Sequence, residues 1–169
     1  MVLRPYRGRF TCRHAMPPMT YFLYRISTLP SAQACPAPPN NEGYDLICIH
    51  PNPKKSGRQI RVQVKSRYQT DCDRAFPVKE KSFTAFDYVV IVFLNNGYYY
   101  KKKPVLEGVS EPEFYTLPAD FIINNHYKTV SGWEKVLTKG KDIEQYKNEH
   151  GFEKIAMDLE IPYPGTENA

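Results

Sequence analysis

Three side chains in the first half of the chain have the types and spacing for phosphate chemistry. They are Asp45 and, eighteen residues later, Gln63 and Lys65 in the run Gln63-Val64-Lys65. Gln59–Ser66 alternates strictly, with Ile60, Val62 and Val64 on one side and Arg61, Gln63 and Lys65 on the other. Gln63 and Lys65 therefore share one face of a strand, about 7 Å apart along it. If the segment around Asp45 is the neighbouring hairpin strand, a carboxylate, an amide oxygen and an ammonium converge. A phosphodiester hydrolase needs such a set. The carboxylate holds Mg²⁺ (or Mn²⁺), which polarises the phosphate and acidifies a bound water. The cation positions that water or stabilises the developing charge. Lys54, Lys55, Arg58, Arg61, Arg67, Arg74, Lys79 and Lys81 surround the set in sequence, with Ser66 inside it. All nine of these residues are candidates for contact with a nucleic-acid backbone. The plainer reading is the charged, solvated face of an edge strand.

Elements must position these residues. Tyr44–Ile49 reads as a short strand, the Pro-, Asn- and Gly-containing stretch 50–57 as a turn, and Gln59–Ser66 as the second arm of a hairpin. Tyr88–Leu94 is a near-continuous run of β-branched and aromatic residues, the pattern of a strand buried on both faces. Tyr98–Lys101 and Phe114–Leu117 read as further strands. Pro118 stands where a helix would begin, with Ala119–Ile123 as its first turn. Ser131 reads as the N-cap of a helix over Trp133–Leu137. Lys141–Met157 has helical spacing, with a break expected at Gly151. Strands followed by helices imply an α/β chain, with α+β the alternative, built on a mixed central sheet with flanking helices.

Charge is arranged in blocks. The net charge is +5, and residues 1–41 account for all of it, with five arginines and no acid. Residues 54–81 carry nine basic and three acidic side chains, whereas residues 104–169 carry six basic and twelve acidic. Seven of the fifteen prolines fall in residues 1–41, so this segment reads as a poorly ordered arm in which only Met19–Thr28 could form a short element. Residues 42–160 read as the folded domain and 161–169 as a tail. No run of 18 apolar residues and no continuous apolar leader is present, so neither a membrane span nor a secretion signal is expected. Cys12, Cys35, Cys48 and Cys72 form no CxxC pair, so neither a zinc site nor a disulfide framework is expected. A reducing cytoplasm is the expected compartment.

Gly43-Tyr44-Asp45-Leu46 followed by Gln63-Val64-Lys65-Ser66 resembles the PD-(D/E)xK nuclease superfamily, whose fold is restriction-endonuclease-like. The resemblance extends to Phe86-Asp87-Tyr88-Val89-Val90 and to Phe114–Asp120, and spans residues 41–123, about half the chain. It implies that Asp45 is the metal-binding aspartate, that Gln63 stands at the second acidic position, and that Lys65 is the catalytic lysine. Gln63 departs from the pattern: a neutral carbonyl holds a cation more weakly than a carboxylate. The family's first helix, which often carries a further glutamate, is missing or atypical here, because residues 1–41 hold no acid. An altered start would account for a Pro-rich arm joined to an orderly domain.

The resulting expectation is an Mg²⁺-dependent endonuclease, with nucleic acid, DNA first, as its substrate. A homodimer is admitted because many nucleases of this fold act as dimers. Two alternatives stand beside it. One is a nuclease-fold module with a decayed site that only binds nucleic acid. The other is a protein-interaction domain that uses the acidic C-terminal third.

Overall fold

The structure is a computed structural model and describes residues 33–39, 41–71, 74–100 and 107–163. Among the described residues, eight strands form two sheets. The larger sheet contains β1 (Gln33–Pro36), β2 (Leu46–Ile49), β3 (Gln59–Arg67), β5 (Tyr88–Phe93) and β6 (Glu113–Pro118), adjacent in that order. The smaller contains β4 (Ala75–Pro77), β8 (Glu134–Leu137) and β7 (His126–Lys128), again adjacent in that order. Only β3 and β5 run parallel; every other pair is antiparallel. Among the described residues there are two α-helices, α1 (Ala119–Asn124) and α2 (Asn148–Asp158). The chain is thus mixed α/β with a central mixed sheet.

β5 is the centre of the molecule. All six of its residues are buried, as a run with no charged side chain allows, and the one hydroxyl, that of Tyr88, donates to Asp158 at 2.8 Å. Tyr88, Val90 and Val92 join Leu46, Cys48, Ile60 and Val62 in a core closed by Phe152, Ile155 and Ala156 of α2. Val89, Ile91 and Phe93 point the other way, into a second core with Phe76, Val136, Ile122 and Leu117 from the smaller sheet, α1 and β6. Period-two alternation divides one strand between two cores. Each fully buried side chain of this size contributes about 1.5–3 kcal/mol.

Several segments differ from the sequence expectation. Gln33–Pro36, inside the segment read as an arm, pairs with β2 and becomes the sheet's edge. Met19–Thr28 lies outside the described residues. Residues 98–100 form no strand; an isolated bridge joins Asn96 to Val109 instead. Trp133–Leu137 is no helix, because Gly132, at φ +84°, turns the chain back on itself. β8 then alternates like a strand, with Val136 buried and Leu137 partly exposed. The C-terminal helix is shorter than expected and breaks elsewhere. A 3₁₀ turn at Glu144–Tyr146 ends at Lys147, which is extended, and Asn148, with a left-handed φ of +47°, turns the chain into α2.

Gly151 lies inside α2 and does not interrupt it. A Cβ there would meet the Tyr146 carbonyl oxygen and, at 2.8 Å, Thr116 of β6. The glycine lets the helix sit directly on the sheet. Ile161, expected in the tail, is 5% exposed and belongs to the first core.

Candidate active site

β3 is an interior strand, flanked by β2 and β5, so the edge-strand reading of Gln63 and Lys65 is overturned. Its register sets Gln63 beside Val89 and Lys65 beside Ile91. The alternation read from sequence holds, but the polar face it predicted is roofed by β4 and the segment that follows. Gln63 is consequently 8% exposed.

The β2–β3 ladder ends at Leu46 and Val62. Beyond it Asp45 ties the strands twice. Its N–H donates to the Val62 carbonyl at 2.8 Å, and its Oδ2 accepts from the Val64 N–H at 2.6 Å. Asp45 thus grips the backbone on both sides of Gln63. One carboxylate oxygen is left outside that bond.

Gln63 and Lys65 line a cleft of about 340 Å³ with Glu42, Gly43, Lys79 and Lys81. Gly43 is needed where the cleft closes. Its φ is +101°, and a Cβ would stand 2.5 Å from that of Ala85. The close approach seats the residue 79–85 segment against the entry to β2. Lys65 is pulled below the usual lysine range, chiefly by burial. The Asp45 carboxylate opposes that shift, and the neighbouring Lys79 ammonium reinforces it. Lys65 therefore feels both Asp45 and Lys79. Lys81 pairs with Glu42 at 3.1 Å on the exposed rim.

Gln63 Oε1 is buried and has no hydrogen-bond partner. An orphaned buried carbonyl costs roughly 1–3 kcal/mol, which is unusual in a folded protein. With the Asp45 carboxylate it makes two oxygen donors of the kind a hard divalent cation takes. That suits Mg²⁺, which is commonly held by one or two protein ligands while water and phosphate fill the rest. Asp45 itself is not in the cleft lining, and among the described residues no three His, Cys, Asp or Glu side chains cluster as a metal site. The candidate donor set is thus small, one carboxylate and one amide oxygen.

The other cations named from sequence disperse. Lys54, Lys55 and Arg58 lie at the far end of the hairpin, and Arg58 is 3.5 Å from Asp158. Arg58 stands just before β3 and Lys65 seven residues further on, about 23 Å in extended chain. Arg61 is held by Asp87 through Nε and Nη2, both at 3.2 Å, and by the Thr84 carbonyl. Arg67 donates to the Ala75 carbonyl at 2.6 Å and lies over Phe76, fastening β4 to β3. Ser66 shares the opposite face of β3 with Val64. Arg74 lies over Phe93, in a separate hollow with Lys139 and Lys141. Only Lys79 and Lys81 join Lys65. Sequence reasoning missed Gly43 as a packing residue; its signal is a glycine before the Asp-bearing strand.

No family model matches the chain, and no curated protein matches it. Among solved structures, a bacterial homing endonuclease, I-Ssp6803I, is similar at 20% identity and a TM-score of 0.43, over 85% of this chain and 86% of that chain. Among the described residues, no helix is long and apolar enough to cross a membrane.

Proposed function

We propose that the cleft hydrolyses phosphodiester bonds of nucleic acid, DNA in the first instance, with Mg²⁺ or Mn²⁺ as cofactor. The observation that carries this reading is the buried, unpartnered Gln63 Oε1 in a cleft lined by three lysines. Asp45 and Gln63 would hold the ion, which, when bound, polarises the phosphate and lowers the pKa of water. Lys79 and Lys81 attract the phosphate backbone. Lys65 sits in the partly desolvated interior of the cleft. There its Nζ orients the attacking water by donating a hydrogen bond and stabilises the charge that develops on the phosphate.

Relaxation of supercoiled plasmid in the presence of Mg²⁺ tests this. Lys65→Ala is expected to lose activity by about 10²–10³-fold, the usual cost of removing one donor to a developing charge, with its fold intact by circular dichroism. Equal nicking by wild type and variant refutes the assignment.

Of the two carboxylates near the site Glu42 is paired with Lys81 on the rim, which leaves Asp45 alone for the ion and favours a second reading, in which the domain binds nucleic acid without cutting it. Calorimetric titration separates the two. Asp45-dependent uptake of Mn²⁺ supports the enzyme, and its absence supports the binding module.

A further inference from the structure

The wall of the cleft has a second side. Pro77 and Lys79 line the cleft, and they also line an adjoining hollow of about 240 Å³ with Ser131, Gly132, Trp133 and Glu134. The register explains the adjacency: Pro77 pairs with Lys135, so the ladder carried two residues further brings Lys79 beside Trp133.

Trp133 is 71% exposed. The turn that carries it is nevertheless tied. Thr129 N–H donates to the Trp133 carbonyl, and Trp133 N–H donates to Thr129 Oγ1, both at 2.8 Å. Gly132 N–H closes on the Thr129 carbonyl at 2.9 Å. The one carboxylate in the hollow is engaged: Glu134 accepts from Glu80 N–H at 2.6 Å and lies 3.4 Å from Lys128. A solvent-facing indole on a hydrogen-bonded turn thus stands next to a lysine shared with the cleft.

We propose that Trp133 is a stacking platform for one unpaired base, with Lys79 on the adjoining phosphate. The substrate class of the cleft is then single-stranded or locally unpaired DNA. This rests on the reading of the cleft as a phosphodiester site. An aromatic face offered from such a turn takes a base only when that base is out of the duplex stack. The dividing wall is a single strand wide. At about 4.8 Å per strand spacing, cleft and hollow are roughly 10 Å apart. At 3.4 Å per stacked nucleotide, that is roughly three nucleotides or fewer.

Trp133 is the only tryptophan in the chain, so intrinsic fluorescence reports this position alone. The full-length protein is titrated in EDTA with a short oligothymidylate and, separately, with a blunt hairpin duplex. Oligothymidylate is expected to quench the emission and the duplex to leave it nearly unchanged. Anisotropy of a labelled oligothymidylate then compares variants at fixed salt. Trp133→Ala is expected to weaken binding about tenfold, the scale of one base–aromatic stack, and Trp133→Phe to restore most of it. Equal quenching by duplex, no quenching, or unchanged binding by Trp133→Ala would overturn the proposal. Because the titration is done without metal, its outcome is separable from that of hydrolysis. Quenching without Lys65-dependent nicking defeats the hydrolytic reading alone, and nicking without quenching defeats the platform alone.

Discussion

Asp45 joins two roles that a pair of substitutions can separate. Its Oδ2 caps the Val64 N–H at 2.6 Å, and its charge faces Lys65. Asp45→Ala leaves the Val64 N–H without its partner, in a partly buried position. An unsatisfied buried donor costs about 1–3 kcal/mol, and partial exposure places this one near 1.5. At about 2–4 °C per kcal/mol for a chain of this size, Tm should fall by about 3–6 °C. Asp45→Asn keeps an oxygen for the Val64 N–H and removes the charge. Charge-assisted bonds are roughly twice as strong as neutral ones, so the loss should be about half as large. Plasmid nicking should respond differently. Without the carboxylate both variants should fall at least about 100-fold, since even groups that merely orient a metal ligand are worth 10–100-fold. Thermal denaturation in EDTA and nicking in Mg²⁺ are measured on the same preparations. Asp45→Asn as active as wild type refutes the metal role. Asp45→Ala as stable as wild type refutes the capping role.

Two further outcomes follow from the same geometry. Lys65 is pulled below its usual 10.5, mainly by burial, so the unfolded chain holds more protons between the lowered value and 10.5. Stability due to this group therefore rises with pH across that window. Lys65→Met, which buries no charge, is expected to be more stable than wild type at neutral pH, with the gap closing towards pH 10.5 in urea titrations; a gap independent of pH contradicts this. Gly151→Ala should gain about 1 kcal/mol of helix propensity yet lose about 1–3 kcal/mol by crowding Thr116 and the Tyr146 carbonyl. A Tm above wild type would show that α2 can lift off the sheet.

Local pattern carried much of the architecture. The alternation of Ile60, Val62 and Val64 against Arg61, Gln63 and Lys65 was legible because a strand has a period of two, whatever it pairs with. The unbroken apolar run of β5 announced burial on both faces for the same reason. Pro118 marked the start of α1 because a proline at a helix start removes no needed donor. Where local signals compete, pattern failed. Ser131 before an apolar stretch mimics a helix cap, while Gly132 and the pairing of β8 with β4 decide for a strand.

The amino-acid sequence by itself determined the inventory of the candidate site: Asp45 at the entry to one strand, Gln63 and Lys65 on the strand beside it, amid an excess of cations. Tertiary structure alone decided what that inventory is worth. Alternation assigns Gln63 to a face but cannot say what covers it. The smaller sheet and the residue 79–85 segment cover it, and so leave its carbonyl oxygen buried and unpartnered. Of the eight cations around Lys65 in sequence, the fold keeps Lys79 and Lys81 at the cleft and leaves Lys54, Lys55 and Arg58 at the far end of the hairpin, before β3 begins. Trp133, fifty-four residues from Lys79 in the chain, arrives beside it through the pairing of β4 with β8. Burial and adjacency are properties of non-local pairing, and no periodicity within a segment encodes its partner.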